Sequence, residues 1–97
     1  MMYADFLASQ TQHEPPSGLS PLLVALWYAG RDEWHQAHNI AQDNEHDPLH
    51  NWLHAFLHRQ EGDTGNAAYW YRRAGRPVGH GSLRREWEDL VRTQLPQ

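Results

Sequence analysis

The stretch Ala55–Ala74, AFLHRQEGDTGNAAYWYRRA, decides the fold. It closes one helix and opens the next. Leu49, Trp52, Leu53, Phe56 and Leu57 recur at the helical period, and this apolar stripe ends at Gly62. A glycine just past the last periodic residue is a helix stop, because it accepts left-handed backbone without a Cβ clash. Asp63 follows as an N-cap, and Ala67, Trp70, Tyr71 and Ala74 form the apolar face of the return helix. Gly75-Arg76-Pro77 ends that helix, and Asp47-Pro48 supplies the cap and first turn of the helix before it. The spacing predicts a helical hairpin over 47–75.

The same grammar extends in both directions. Ser20-Pro21 caps a helix carrying Leu22, Leu23, Leu26 and Trp27, which Gly30 is expected to stop. A helix beginning near Asp32 places Trp34, Ala37, Ile40 and Ala41 at helical spacing, so 21–46 reads as a first hairpin. Before it, Tyr3, Phe6, Leu7 and Gln10 predict a short helix over 1–12, and His13-Glu14-Pro15-Pro16-Ser17-Gly18 makes 13–20 a linker. After the second hairpin, Ser82 caps a last helix over 82–95. Its Leu83, Trp87, Leu90, Val91 and Leu95 share one face, and Pro96 is expected to end it. No stretch alternates apolar and polar residues long enough to make a strand, so 1–97 reads as one all-α domain.

The expected turns at Gly30 and Gly62 lie 32 residues apart, a period typical of repeat architecture. The Ala55–Ala74 stretch resembles a tetratricopeptide repeat. Ala67-Ala68-Tyr69-Trp70-Tyr71-Arg72-Arg73-Ala74 resembles its Sel-type variant in particular. Ala55, Gly62, Asp63, Ala67, Tyr71 and Ala74 fall on the small and aromatic positions that nest two antiparallel helices, while Gly30, Trp34, Ala37 and Ala41 match more loosely, as a degenerate first repeat. The resemblance implies two stacked antiparallel hairpins, an α-α superhelix, with the terminal helices as caps, and a role in binding a protein or peptide. His54 and His58 depart from the repeat, standing where it usually carries an apolar residue and an aromatic.

Composition narrows the function. Five Trp, four Tyr and two Phe let a 97-residue chain close a core. The net charge of −4 gives no pull toward nucleic acid or anionic lipid. With no Cys there is no disulfide, thiolate metal site or Cys nucleophile. The longest apolar run, Leu22–Tyr28, is too short to cross a membrane and lacks the basic flank of a secretory signal, so a cytoplasmic location is the expectation.

Two constellations carry chemistry. The first is histidine, eight in all, with His46, His50, His54 and His58 recurring every fourth residue. On a helix His50, His54 and His58 align on one face, and Glu61 projects into the same arc. Imidazoles at i and i+4 with a nearby carboxylate are a way to hold Zn²⁺, and His38 on the preceding helix could join them. The competing reading is a polar seam, with Glu61, Asn66 or Tyr71 as hydrogen-bond partners of His54 and His58.

The second constellation is the arginine-rich C-terminal third. Six of the eight Arg lie from Asn66 onward against three acids, whereas residues up to Gly65 carry two Arg and nine acids. Trp70 and Tyr71 fit core positions, which disfavours base stacking and leaves Arg72, Arg73 and Arg76 to meet a partner's carboxylates. No nucleophile elbow, phosphate loop, dinucleotide fingerprint or His-Glu-x-x-His motif is present, so His54, His58, Glu61 and Asp63 are the one acid–base constellation and an enzyme is not the first expectation. The expected function is an interaction module contacting its partner through His54, His58, Arg72 and Arg73, with no cofactor. The alternative is a Zn²⁺ site at His38, His54, His58 and Glu61, which could support hydrolysis. Leu83, Trp87, Leu90 and Leu95 could also serve a second copy of the chain.

Overall fold

A side-chain oxygen stands at the start of each of four helices. In the computed structural model, which describes residues 1–95, the Ser20 hydroxyl accepts from the Leu23 amide at 3.3 Å and Asp47 from the His50 amide at 3.2 Å. Asp63 accepts from the Asn66 amide at 3.2 Å and the Ser82 hydroxyl from the Arg85 amide at 3.0 Å. Each bond satisfies an amide that the first helical turn leaves without a partner. The helices are α1 (Tyr3–Ala8), α2 (Pro21–Gly30), α3 (Trp34–Ala41), α4 (Pro48–Glu61), α5 (Thr64–Ala74) and α6 (Leu83–Gln94), with a 3₁₀ turn at Ser9–Thr11. Among the described residues there is no strand, and none of these helices is long and apolar enough to cross a membrane. Pro96 lies outside the described residues.

α2 is packed on α3, and α4 on α5, each pair across a short turn, and α4 also meets α2, α3 and α6. In α2, Leu22, Leu23, Ala25, Leu26, Trp27 and Ala29 are all buried, more than one stripe can account for, because α3, α4 and α6 cover it from different sides. The N-terminal segment is tied down by polar contacts as well as by Phe6, which is fully buried. Trp27 Nε1 donates to the Ser9 carbonyl at 3.2 Å, and Arg31 donates to the Gln10 and Gln12 carbonyls at 2.7 and 2.6 Å. Trp87, Leu90 and Val91 of α6 are buried within this same chain, while Leu83 at the start of that face is 37% exposed.

Two glycines act differently from one another. Gly62 ends α4 at φ +89°, the left-handed stop that its position suggested. Gly30 instead keeps a negative φ and remains the last residue of α2; the residue that turns left-handed is Asp32, at φ +60°. A Cβ at Gly30 would stand 2.6 Å from Trp87 Cζ2 and would also strike the Gln10 side chain. The glycine is there to let α6 approach α2 closely.

Candidate metal centre

His38 on α3 faces His54 and His58 on α4, brought there by the packing of those two helices. His54 and His58 lie one turn apart and fall on the same face of α4; their rings stack at 4.9 Å with 28° between planes. His38 meets them edge-on, with Nε2 3.0 Å from Nε2 of His54 and ring planes at 80°. Each of the three residues offers one ring nitrogen, and these atoms lie within 4.8 Å of one another. His54 is 5% exposed and His58 8%, while His38 is partly covered.

Aromatic rings wall the cluster on two sides. Trp34 stacks on His38 at 4.6 Å and 11°, held by its Nε1 donating to the Leu57 carbonyl at 2.7 Å. Trp70 stacks on His54 at 4.0 Å and 19°. Trp34 and His38 are one turn apart on α3, so the same spacing places both on the face toward α4.

The hydrogen bonds fix where protons sit. Glu61 Oε2 lies 2.7 Å from His58 Nδ1, and a carboxylate accepts, so a proton is on Nδ1 of His58 and Nε2 is the nitrogen left toward the cluster. Between the two Nε2 atoms of His38 and His54 there is room for one proton. Nδ1 of His54 is buried with no hydrogen-bond partner, an open polar valence in a covered site. Burial, with repulsion from His38 and His58, pushes the His54 pKa down to about 4. His38 is also lowered, first by burial and then by His58. These shifts favour the neutral form of His54 and His38, the protonation state in which nitrogen binds a metal.

That state has a pH signature. The folded protein holds His54 neutral, with His38 shifted the same way, whereas the unfolded chain protonates them near the ordinary value of 6.5, so the unfolded state binds more protons between about pH 6.5 and 4. The stability they contribute is fully present above that window and is lost as pH falls through it. The melting temperature is expected to drop on titration across this range, and to drop less steeply in His54→Gln. An equal slope in both proteins would contradict the placement of His54 as a buried neutral ring.

The remaining expected residues are distributed as follows. Glu61 orients His58 and sits at the exposed margin. Of the other partners expected for a polar seam, Asn66 bonds Asp63 instead, at 2.9 Å, and the Tyr71 hydroxyl donates to Glu86 at 2.7 Å. His50 turns away to Asp47 Oδ2 at 2.5 Å, within its own helix cap, and His46 is exposed. Arg72 is exposed, and Arg73 is engaged by the Tyr69 hydroxyl and the Glu45 carbonyl, each at 3.1 Å. Arg76 lies over the Trp52 ring at 3.5 Å. His54 and His58 are covered, so a partner lying across α5 would touch Arg72 and Arg73 without reaching their rings.

Two features of this region escape a reading of the sequence. Trp70 is half-buried against His54 and Arg73, and Tyr71, at 1% exposed, is the α5 aromatic that enters the core. Glu86 of α6 is a buried carboxylate that joins α4, α5 and α6. It accepts from Trp52 Nε1 at 3.0 Å and from the Tyr71 hydroxyl, and pairs with Arg59 at 2.7 Å. Its alternation with Trp87 in an amphipathic helix gave no sign of burial.

No family model, curated protein or solved structure matches this chain.

Proposed function

We propose that the chain binds a transition-metal ion through His38, His54 and His58, on a tetratricopeptide-like framework of two helical pairs. One observation carries this reading: three imidazoles from two helices bring a ring nitrogen each within 4.8 Å of one another, with a carboxylate accepting from Nδ1 of one of them. Bonds of about 2.0–2.1 Å in tetrahedral geometry separate ligand nitrogens by about 3.3 Å, so the 3.0 Å pair of His38 and His54 needs to open by only a few tenths of an ångström. For both Nε2 lone pairs to bind, the ring that carries its proton on Nε2 would carry it on Nδ1 instead, so that both stay neutral ligands. The partner-binding expectation keeps a surface in Arg72, Arg73 and Arg76, none of which meets a carboxylate among the described residues. The His cluster supports the metal reading more closely, because a converging donor set is harder to explain by chance than exposed arginines near a helix C-terminus, where they complement the dipole.

The test is a thermal melt of untagged, chelator-stripped protein with Zn²⁺, Ni²⁺, Cu²⁺, Cu⁺ under anaerobic ascorbate, Mg²⁺ or no ion. At 100 times its dissociation constant a ligand adds about 2.7 kcal/mol, or roughly 10–20 °C for a domain of this size. A rise is expected with at least one of the transition-metal ions and not with Mg²⁺, and it should vanish in His38→Gln and His54→Gln while surviving in His80→Ala. No rise with any ion, or one that persists in both cluster variants, would contradict the proposal.

A further inference from the structure

A cleft lies beyond the histidine cluster, at the ends of α2 and α4. Two cavities, of about 410 and 360 Å³, both touch Asp32 and Gln60, so they are the two ends of one space beside the α2–α3 turn. We infer that this cleft binds an alkylammonium group, its head at Asp32 and Glu61 and its carbon chain along Phe56, Leu83 and Trp87.

The charge of the walls is negative. α2 ends at Gly30 and α4 at Glu61, and both ends border the cleft. A helix C-terminus carries about half an elementary negative charge, and here two of them face the same space. Asp32 and Glu61 add carboxylates. Among the described residues Asp32 pairs with no cation and its carboxylate accepts no hydrogen bond, while Glu61 spends Oε2 on His58 and keeps Oε1. The smaller cavity is lined by no arginine; Trp34, His35 and Gln60 complete its walls. Arg84, on the larger one, lies over the Trp87 ring at 4.3 Å and reaches Glu88 at 3.7 Å, so its charge is already matched.

Hydrogen-bonding capacity agrees with charge. Oε1 of Gln60, a residue on the wall of both cavities, is buried and has no donor. Buried polar atoms in folded proteins nearly always have a partner, and an ammonium brings three N–H donors and no acceptor. A hydroxyl could also donate to Gln60, but it would leave the two carboxylates and the two helix ends without a counter-charge.

The larger cavity supplies the rest of the selectivity. Buried Phe56 and Trp87 lie beneath it, with Ala29 and Leu83 beside them, and Leu83 is 37% exposed. Cavities of several hundred Å³ take an organic molecule. A hydrated metal ion at the carboxylate end would leave this apolar end wet, whereas an alkyl chain covers it. Two sources share the chemistry, a free alkylamine and the side chain of a lysine.

The experiment titrates full-length, nitrogen-15-labelled protein with hexylamine, in chelator so that no metal bridges amine and protein, and follows backbone amide shifts. Hexylamine is an ammonium at pH 7; hexanol and hexanoate keep its chain without the positive charge. Saturable shifts are expected at Ala29–Asp32 and Gln60–Gly62, with a dissociation constant below about 1 mM and binding of both controls at least roughly tenfold weaker. Asp32→Asn should lose at least about tenfold in affinity with the melting temperature of the parent, and so should Asp32→Gly, which suits the left-handed φ of +60° there. An acetylated and amidated peptide with one internal lysine distinguishes the sources: tighter binding than hexylamine assigns the cleft to a lysine side chain, weaker binding to a free amine. Hexanol or hexanoate bound as tightly as hexylamine, no shift with either amine, or unchanged affinity in both Asp32 variants would overturn the proposal. Asp32 is not one of the three histidine ligands, so that failure would leave the metal site standing.

Discussion

Glu86→Ala is expected to destabilise the fold by about 3–5 kcal/mol, a large part of the 5–15 kcal/mol that holds a domain of this size together. The mutation removes the one carboxylate that Arg59, Tyr71 and Trp52 share. Arg59 would be left as a partly buried cation whose other contact is the Gly81 carbonyl, and the Tyr71 hydroxyl and Trp52 Nε1 would lose their acceptor. The Tyr71 pKa is raised, chiefly by burial and then by its bond to Glu86, so the phenol stays a donor and cannot replace the missing charge. At about 4–8 °C per kcal/mol the melting temperature should fall by roughly 12–40 °C. Glu86→Gln, which keeps an acceptor and the shape, should fall by clearly less. Chemical unfolding of the two variants against the parent checks this. A loss under about 1 kcal/mol in Glu86→Ala would mean that the three donors find other acceptors.

Trp87→Ala is expected to cost a similar amount, about 3–5 kcal/mol. The indole is 2% exposed, packs on Phe6 at 6.1 Å, and donates from Nε1 to the Leu26 carbonyl at 2.8 Å. It also lies over Gly30, where the glycine leaves room for it. Its removal opens a cavity where α1, α2 and α6 meet. Trp70→Ala, by contrast, takes away a half-buried ring stacked on His54 and should cost clearly less. Equilibrium unfolding of both variants sets the order. A larger loss at Trp70 than at Trp87 would reverse the assignment of core and margin made here.

That order also shows where sequence reading reaches its limit. Helix starts were legible because caps are local: Ser20, Asp47, Asp63 and Ser82 each act on an amide three residues away. The gathering of His54, His58 and Glu61 was legible for the same reason, since helical spacing alone puts them on one face. His38 needed one further step, the packing of α3 on α4, which the short connection between them favours. Trp70 and Tyr71 are adjacent, and both satisfied the apolar stripe of α5. A rotation of about 100° separates them, and only the neighbours of α5 decide which one enters the core. The Glu86 network lay further out of reach, because Trp52 and Arg59 are 34 and 27 residues away in sequence and meet the carboxylate only once α6 has docked. The end of α2 at Gly30 was legible but its cause was not, since a glycine that admits a neighbouring ring looks the same in sequence as one that turns the chain.

The most direct test of the metal site is nitrogen NMR on histidine-labelled apo protein, titrated with one equivalent of Cu⁺ or Zn²⁺, both diamagnetic. The structure predicts that one nitrogen in each of His38, His54 and His58 moves together and saturates at one equivalent, with His58 keeping its proton on Nδ1 toward Glu61. His50, held by Asp47, and His80 should stay where they are. An unshifted His38, His54 and His58, or a shift confined to exposed rings such as His46, would contradict the account.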